Sequence, residues 1–236
     1  MINKVNGIVA YIDALAIELA EAQGLRGQIL ANMRIALQEQ FDTLKHDAIY
    51  VPMREVAPIT RRPVEVFPEN EYLELGIRSF GNGTFHKPLI SGLELGDKRV
   101  FTVYPDDLLF SNVFAWEGAI AVAKADDEGR VASHRFISCV PQKGLATSHF
   151  LKFYFLTPEG LYKIREASPG GAGRNRTLGL EKLERIEVPV IDYEIQLEFD
   201  ALQTQVAQLE QIESETDREL DSLLPSILDR AFRGEL

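Results

Sequence analysis

The chain has 236 residues, of which 45% are hydrophobic and 26% are charged, and this composition excludes a disordered chain. The single cysteine, Cys139, excludes an internal disulfide, and no apolar run approaches the roughly 18 residues that a membrane span needs. The N-terminus lacks a basic-then-apolar signal pattern. We therefore expect a cytoplasmic protein with no membrane contact.

The net charge of −11 is unevenly distributed along the chain. Residues 191–236 carry 12 acidic and 3 basic side chains, whereas residues 51–190 carry 18 of each. Because binding to phosphate depends on Lys and Arg, the total charge argues against a nucleic-acid partner, yet the neutral middle segment permits a basic face. The acidic C-terminal segment indicates a solvated helix face or a docking surface for a basic partner protein.

The N-terminal segment, residues 1–46, has apolar residues at alternating steps of three and four. This spacing predicts a long coiled-coil helix. Its seam positions include Ile8, Ile12, Leu15 and Leu19. Gly24 and Gly27 lie inside the helix, where each costs about 1 kcal/mol relative to alanine, and they predict a bend or a close helix approach.

The middle segment, residues 47–190, changes to frequent prolines and short β-type runs, which predict a globular domain. Strands are predicted at 72–75, 98–103, 108–113, 118–123, 135–140 and 183–190, with a tight turn at Gly81-Asn82-Gly83. A change of hydrophobic period predicts helices at 148–157 and 158–167. The segment is thus expected to form one mixed α/β domain.

The C-terminal segment, residues 191–236, repeats the heptad pattern of the N-terminal one. Its seam positions include Phe199, Leu202, Val206, Leu209, Leu220 and Leu223. A shift of 187 residues superimposes the two segments in phase and brings Arg26 onto Glu213, an opposite-charge pair. Pro225 predicts that the second helix ends or kinks there, with a short helical tail beyond.

These patterns predict an α+β chain in which one mixed α/β domain is inserted between two long coiled-coil helices. The helices are expected to pack against each other or against copies from a second chain.

Candidate catalytic residues do not converge on a known pattern. Ser133-His134 lacks the Gly-x-Ser-x-Gly elbow of a hydrolase, and the glycine-rich run 170–173 lacks the Gly-Lys-Ser/Thr of a phosphate loop. Asp106-Asp107 and Asp126-Asp127-Glu128 are interpreted as solvated turns. We expect no catalytic residue, no metal and no cofactor in this chain.

Basic and amide side chains are concentrated in the predicted loops of the middle segment. Arginine pairs bidentately with guanine, asparagine pairs with adenine, and both bind phosphates, whereas the alternative for each residue is an ordinary surface ion pair. The candidate DNA-contact residues are Arg61, Arg62, Arg78, Asn82, Lys87, His134, Arg135, Arg174, Asn175 and Arg176.

Several stretches, in the same order, resemble the DNA-specificity subunit of type I restriction-modification systems. These are 72–78 with 83–85, 105–113 with 118–121, 133–136, 170–173, 178–190 with 194–196, and the C-terminal run 227–236. The resemblance implies that 47–190 is a target-recognition domain and that 1–46 and 191–236 are conserved-region helices.

The same resemblance implies a non-catalytic function. The chain would bind double-stranded DNA and assemble with methyltransferase subunits that carry S-adenosylmethionine and with an ATP-driven restriction/translocase subunit. Full-size members have two recognition domains and this chain has one, so we expect a natural half-subunit or a fragment. A homodimer would recreate the two-domain molecule and read a palindromic site.

Two other functions remain open from the residues. One is a coiled-coil adaptor whose middle domain binds protein, which the neutral charge of that domain favours. The other is an enzyme, which would need a pocket with converging titratable groups.

Overall fold

The computed structural model describes residues 2–170 and 176–233. In chain order the elements are α1 (Ile2–His46), β1 (Ile49–Pro52), α2 (Met53–Val56), β2 (Pro63–Val64), β3 (Glu71–Ile77), β4 (Thr84–Ser91), α3 (Gly92–Leu95), β5 (Val100–Thr102), β6 (Leu108–Ser111), β7 (Ile120–Val122), β8 (Val131–Ser133), β9 (Phe136–Cys139), α4 (Ser148–Leu156), α5 (Pro158–Ala167), α6 (Leu180–Glu184), β10 (Glu187–Val190) and α7 (Tyr193–Phe232). Two short 3₁₀ turns, Ala115–Glu117 and Ala125–Asp127, flank β7.

The chain divides into two compact units. We call residues 2–43 with 201–233 the helical unit and residues 44–200 the mixed unit. The mixed unit extends beyond the predicted domain boundaries of 47 and 190. None of the helices in the described ranges combines the length and apolar character of a membrane span.

The helical unit consists of the greater part of α1 and α7, which contact each other within one chain. Arg26 donates a hydrogen bond to Asp217 at 2.6 Å, and Arg34 donates one to Glu210 at 2.7 Å. The acidic partner of Arg26 thus lies four residues beyond Glu213, the position that is equivalent to Arg26 in the repeat.

The predicted seam residues differ in burial. Val206 is buried, Leu19, Leu202 and Leu220 are half-buried, and Leu209 and Leu223 are 42% and 48% exposed. Phe199 is fully buried, but it lies in the mixed unit, where its ring meets those of Phe150 and Phe153 at 6.0 and 5.0 Å. The side chains of Ile8, Ile12 and Leu15 lie outside the described part of the structure.

Pro225 does not end the second helix, so a predicted end at this residue is wrong. α7 runs through it as one helix of 40 residues. A proline inside a helix removes one backbone hydrogen bond, but here the neighbouring residues Asp221, Ser222 and Leu223 are exposed, so water can satisfy the freed carbonyl. The separate helical tail is therefore a wrong prediction within the described residues.

The described residues of the mixed unit form three sheets. The strand orders are β2-β5-β8-β3-β4, β7-β6-β9 and β1-β10. Most pairs are antiparallel, while β3 and β8 run parallel. Each predicted strand of residues 72–140 and both predicted helices are confirmed, whereas the run 183–190 is a strand only from Glu187. Its first two residues belong to α6, because Leu180–Glu184 is built of strong helix formers.

The core of the mixed unit lies around the three-stranded sheet. All four residues of β6 and all three of β7 are buried, and the ring of Phe110 meets that of Phe155 on α4 edge-on at 5.1 Å. The short sheet of β1 and β10 pairs Ile49 with Val190. It therefore holds the two ends of the mixed unit side by side.

Candidate nucleic-acid interface

A groove of about 500 Å³ runs along the five-stranded sheet, and we call it the sheet groove. It brings together three predicted DNA-contact residues and one residue that the sequence did not single out: Lys87, His134, Arg135 and Lys98. Among the described residues that line it, Glu74 alone is acidic, and it lies 3.6 Å from Lys87. The groove therefore has an excess of positive charge.

A second groove of about 530 Å³ lies at the β2–β5 edge of the same sheet, and we call it the edge groove. Arg61 and Arg99 line it, and the guanidinium carbon of Arg61 lies 4.9 Å from the centre of the Phe101 ring. None of the described residues lining it is acidic. Such a cation stacked on an aromatic floor is well placed to bind a phosphate or a base.

Lys98 lines the sheet groove, and its neighbour in the chain, Arg99, lines the edge groove. The backbone amide of His134 donates to the carbonyl of Arg99 at 3.0 Å, which ties the two sides together. We call the resulting set the basic strip: Arg61, Lys87, Lys98, Arg99, His134 and Arg135. All are exposed except Lys87, which is half-buried.

Lys98 and Arg99 were not among the residues predicted from the sequence. Their signal was visible, since two consecutive cations open the predicted strand 98–103. What the sequence could not show is that β5 pairs with β8, which places this pair beside His134 and Arg135.

The β3–β4 hairpin carries Arg78 and Asn82. The guanidinium of Arg78 lies 5.0 Å from the Phe85 ring centre and donates to the Thr84 carbonyl, while Asn82 donates to the Ser79 carbonyl at 3.0 Å. Both side chains are exposed at the turn. The predicted turn at 81–83 is confirmed, with positive φ at Gly81 and Gly83.

Arg62 faces the interior of the mixed unit. Its guanidinium donates two hydrogen bonds to the carboxylate of Asp107, at 2.6 and 3.1 Å, and lies 4.8 Å from the ring centre of Tyr104. The Asp107 side chain is 3% exposed. These bonds engage Arg62 in the fold, and they show that the interpretation of Asp107 as a solvated turn residue is wrong.

Asp127 is also buried rather than solvated, at 1% exposure. Thr84 Oγ1 and the Lys124 amide donate to its Oδ2 at 2.8 and 2.9 Å, and His86 Nε2 lies 2.9 Å from its Oδ1. Burial alone would raise the pKa of Asp127, but these hydrogen bonds outweigh it and lower the pKa below its usual value. The carboxylate thus fixes the start of β4 against the 3₁₀ turn that follows β7.

Arg176 stacks on Trp116, with its guanidinium carbon 5.4 Å from the ring. It also forms a backbone bridge with Gly170. Arg174 and Asn175, two other predicted contact residues, lie outside the described residues. Within the described ranges, no group of His, Cys, Asp and Glu side chains is arranged to hold a metal ion.

The structure resembles solved structures of restriction-modification proteins, although no protein-family model and no curated protein sequence matches this chain. One is a chain from a study of complex assembly and conformational transition of the type I R-M system, with 22% identity and a TM-score of 0.62, covering 99% of this chain and 60% of that one. Another is the HsdS subunit from Thermoanaerobacter tengcongensis, with 21% identity and a TM-score of 0.57, covering 98% and 58%.

The chain therefore has the fold of type I specificity subunits, which confirms at the level of the fold the resemblance seen in the sequence. It spans about three fifths of the length of the two solved chains.

Proposed function

We propose that this chain is a non-catalytic DNA-specificity subunit of a type I restriction-modification complex. Its mixed unit reads one half of a bipartite site in double-stranded DNA. The observation that carries this proposal is the shared fold, which extends over 98–99% of the chain in the two comparisons.

The basic strip supports the proposal in spite of the net charge of −11. Within the described part of the chain, Arg61, Lys98, Arg99 and Arg135 are engaged in no ion pair. They are therefore available for the phosphate contacts that position a protein on DNA, while arginine can also read guanine edges. The strip lies on the mixed unit, and the excess of acidic residues lies in the C-terminal segment.

The helical unit carries the proposed partner contacts. Apolar side chains exposed by 42–61% remain on its helices: Ile17, Leu25, Ile29, Ile35, Leu209, Ile212 and Leu223. Together with the acidic residues of α7, they provide a surface for the methyltransferase subunits and for a second copy of the chain. A restriction/translocase subunit completes the proposed complex.

In a homodimer, identical mixed units related by a two-fold axis read inverted repeats. The helices then set the distance between the two half-sites. A helix of 40 residues spans about 60 Å, which is enough to separate two major-groove contacts.

Fluorescence anisotropy with labelled duplex DNA, in the presence of the methyltransferase subunits, tests the role of the basic strip. We expect the double variant Lys98→Ala/Arg99→Ala to weaken binding and to lower the log-log salt slope by about 0.9 for each phosphate that it no longer neutralises. Lys182→Ala/Arg185→Ala makes the same charge change at a different groove of the mixed unit and serves as the control.

An unchanged salt slope in the Lys98/Arg99 variant would remove this strip from the DNA interface. An equally large decrease in the control would show that only overall charge matters. The adaptor alternative, in which the mixed unit binds protein, is not favoured, because the shared fold is that of specificity subunits.

A further inference from the structure

Phe80 combines two costly features at the tip of the β3–β4 hairpin. Its side chain is 77% exposed, and its backbone has a φ of 60°, in the left-handed region that disfavours residues other than glycine. A largely exposed aromatic ring contributes little to the stability of the fold, and the left-handed backbone conformation adds strain. Such an outlier points to a function for the ring.

The turn that carries Phe80 is firmly held. The amides of Phe80 and Gly81 donate to the carbonyls of Glu117 and Gly118, at 3.0 and 2.8 Å. A Cβ at Gly81 would lie 2.6 Å from Leu156 Cδ1, so the turn rests directly on α4. The ring is therefore presented to solvent from a rigid base.

The turn that carries Phe80 connects β3 and β4, and both strands supply lining residues of the sheet groove. Phe80 lies three residues after Ile77, which lines the groove. Its backbone amide donates to Glu117, in the 3₁₀ turn that follows another groove residue, Phe114. Arg78 and Asn82, both exposed, flank it in the same turn. Aromatic rings next to cationic grooves bind nucleic acids by stacking on a base, and apolar wedges open base steps in the same way.

We propose that Phe80 stacks on a base of the DNA bound along the sheet groove and opens a base step there. This inference rests on the proposed function, since it needs DNA in that groove. The opened base step distorts the duplex, and this distortion comes in addition to the contacts that the basic strip makes.

Two variants separate the ring from the backbone. Phe80→Gly removes the ring and relieves the positive φ, so its melting temperature should equal or exceed that of the wild type. Phe80→Trp keeps a stacking surface. Leu93→Ala is the matched control, because Leu93 is also 77% exposed on the mixed unit but lies in the short helix α3.

The experiment uses the chain with its methyltransferase subunits and a specific duplex carrying 2-aminopurine at each position in turn. We expect wild type and Phe80→Trp to raise the fluorescence at one base step. Phe80→Gly should lose that signal and bind about tenfold more weakly, because it no longer stacks on a base. Leu93→Ala should behave as the wild type.

A Phe80→Gly complex with unchanged affinity and fluorescence would overturn this inference alone, and the basic strip would remain as the DNA interface. If Phe80→Gly fails to assemble with the methyltransferase subunits in the absence of DNA, the ring contacts protein. That result also overturns the inference. If the wild-type complex binds no DNA, the proposed function fails and this inference falls with it.

Discussion

Arg61 and Arg62 are neighbours in the chain, but their guanidinium groups have different surroundings. Arg61 lies over Phe101 in an open groove without acidic lining among the described residues. Arg62 forms a two-bond pair with the buried carboxylate of Asp107. Because a carboxylate buried without a partner is costly, the two residues should respond differently to substitution.

We expect Arg62→Ala to lower the free energy of unfolding by about 3 kcal/mol, because the buried Asp107 carboxylate loses its cationic partner and keeps the hydrogen bond from the Tyr104 amide. Arg61→Ala should change it by no more than about 0.5 kcal/mol while weakening DNA binding. Urea unfolding and anisotropy measure the two effects. Unchanged stability of Arg62→Ala would contradict the assignment of Arg62 to the fold.

Asp200 should make the stability depend on pH. Burial raises its pKa from the usual 3.8 to about 6, although a hydrogen bond with Thr147 opposes the shift. The folded state therefore binds the proton more tightly than the unfolded state, so stability decreases as pH rises from about 4 through 6. We expect Asp200→Asn to stabilise the protein by about 1–2 kcal/mol at pH 7.5 and to have little effect at pH 4.

His149 lines the same cavity as Asp200, and burial lowers its pKa, so it titrates with the opposite sign. The measurement is therefore the difference in the free energy of unfolding between wild type and Asp200→Asn, obtained by urea unfolding from pH 4 to pH 7.5. An equal difference at pH 4 and pH 7.5 would contradict the raised pKa of Asp200.

The residues that line the candidate site could be predicted only in part. The sequence identified Lys87, His134 and Arg135, which the structure brings together in the sheet groove. It could not separate Arg62 from Arg61, because Asp107 lies 45 residues away and only the fold reveals the pair. Residue type indicates which chemistry is available, whereas burial decides whether that chemistry faces solvent.

At the scale of elements, the β3–β4 hairpin depends on a glycine. A Cβ at Gly76 would lie 2.2 Å from Cζ of Phe85, whose ring lies over this position and lines the sheet groove. We expect Gly76→Ala to displace the ring, lower the melting temperature and weaken DNA binding. Phe85→Leu in the same background should restore part of the stability, and failure to do so would contradict the steric explanation.

The helix α1 offers the opposite case. A Cβ at Gly24 would meet no atom within 4 Å, so the predicted close helix approach does not occur at this position. We expect Gly24→Ala to stabilise the helix by up to about 1 kcal/mol, measured by thermal unfolding. A decrease in stability would indicate that the glycine has a packing role.

Elements with a strong period were predictable, and those with mixed signals were not. The heptad spacing identified α1 and the beginning of α7, whereas Pro225 led to a wrong end for α7. The strand β4 was missed because it contains Pro88. The proline is tolerated there because β4 is an edge strand and because Lys87 and Pro88 form a bulge opposite Glu74. A proline therefore disrupts a strand only where the backbone N–H that it lacks would have donated a hydrogen bond to a neighbouring strand.

At the scale of the whole molecule, the order of helix, mixed unit and helix was visible in the repeated heptads. The pairing of β1 with β10 was not, because it joins residues about 140 positions apart. Sequence also left open whether the helices pair within one chain, and the Arg26–Asp217 and Arg34–Glu210 bonds show that they do.

A specificity subunit is expected to bind a bipartite DNA target, and selection of binding sequences from a random duplex library tests this most directly. The chain, assembled with its methyltransferase subunits, should enrich an inverted repeat whose halves are separated by a spacer of fixed length. A single undivided site, or no enrichment over non-specific DNA, would contradict the proposed function.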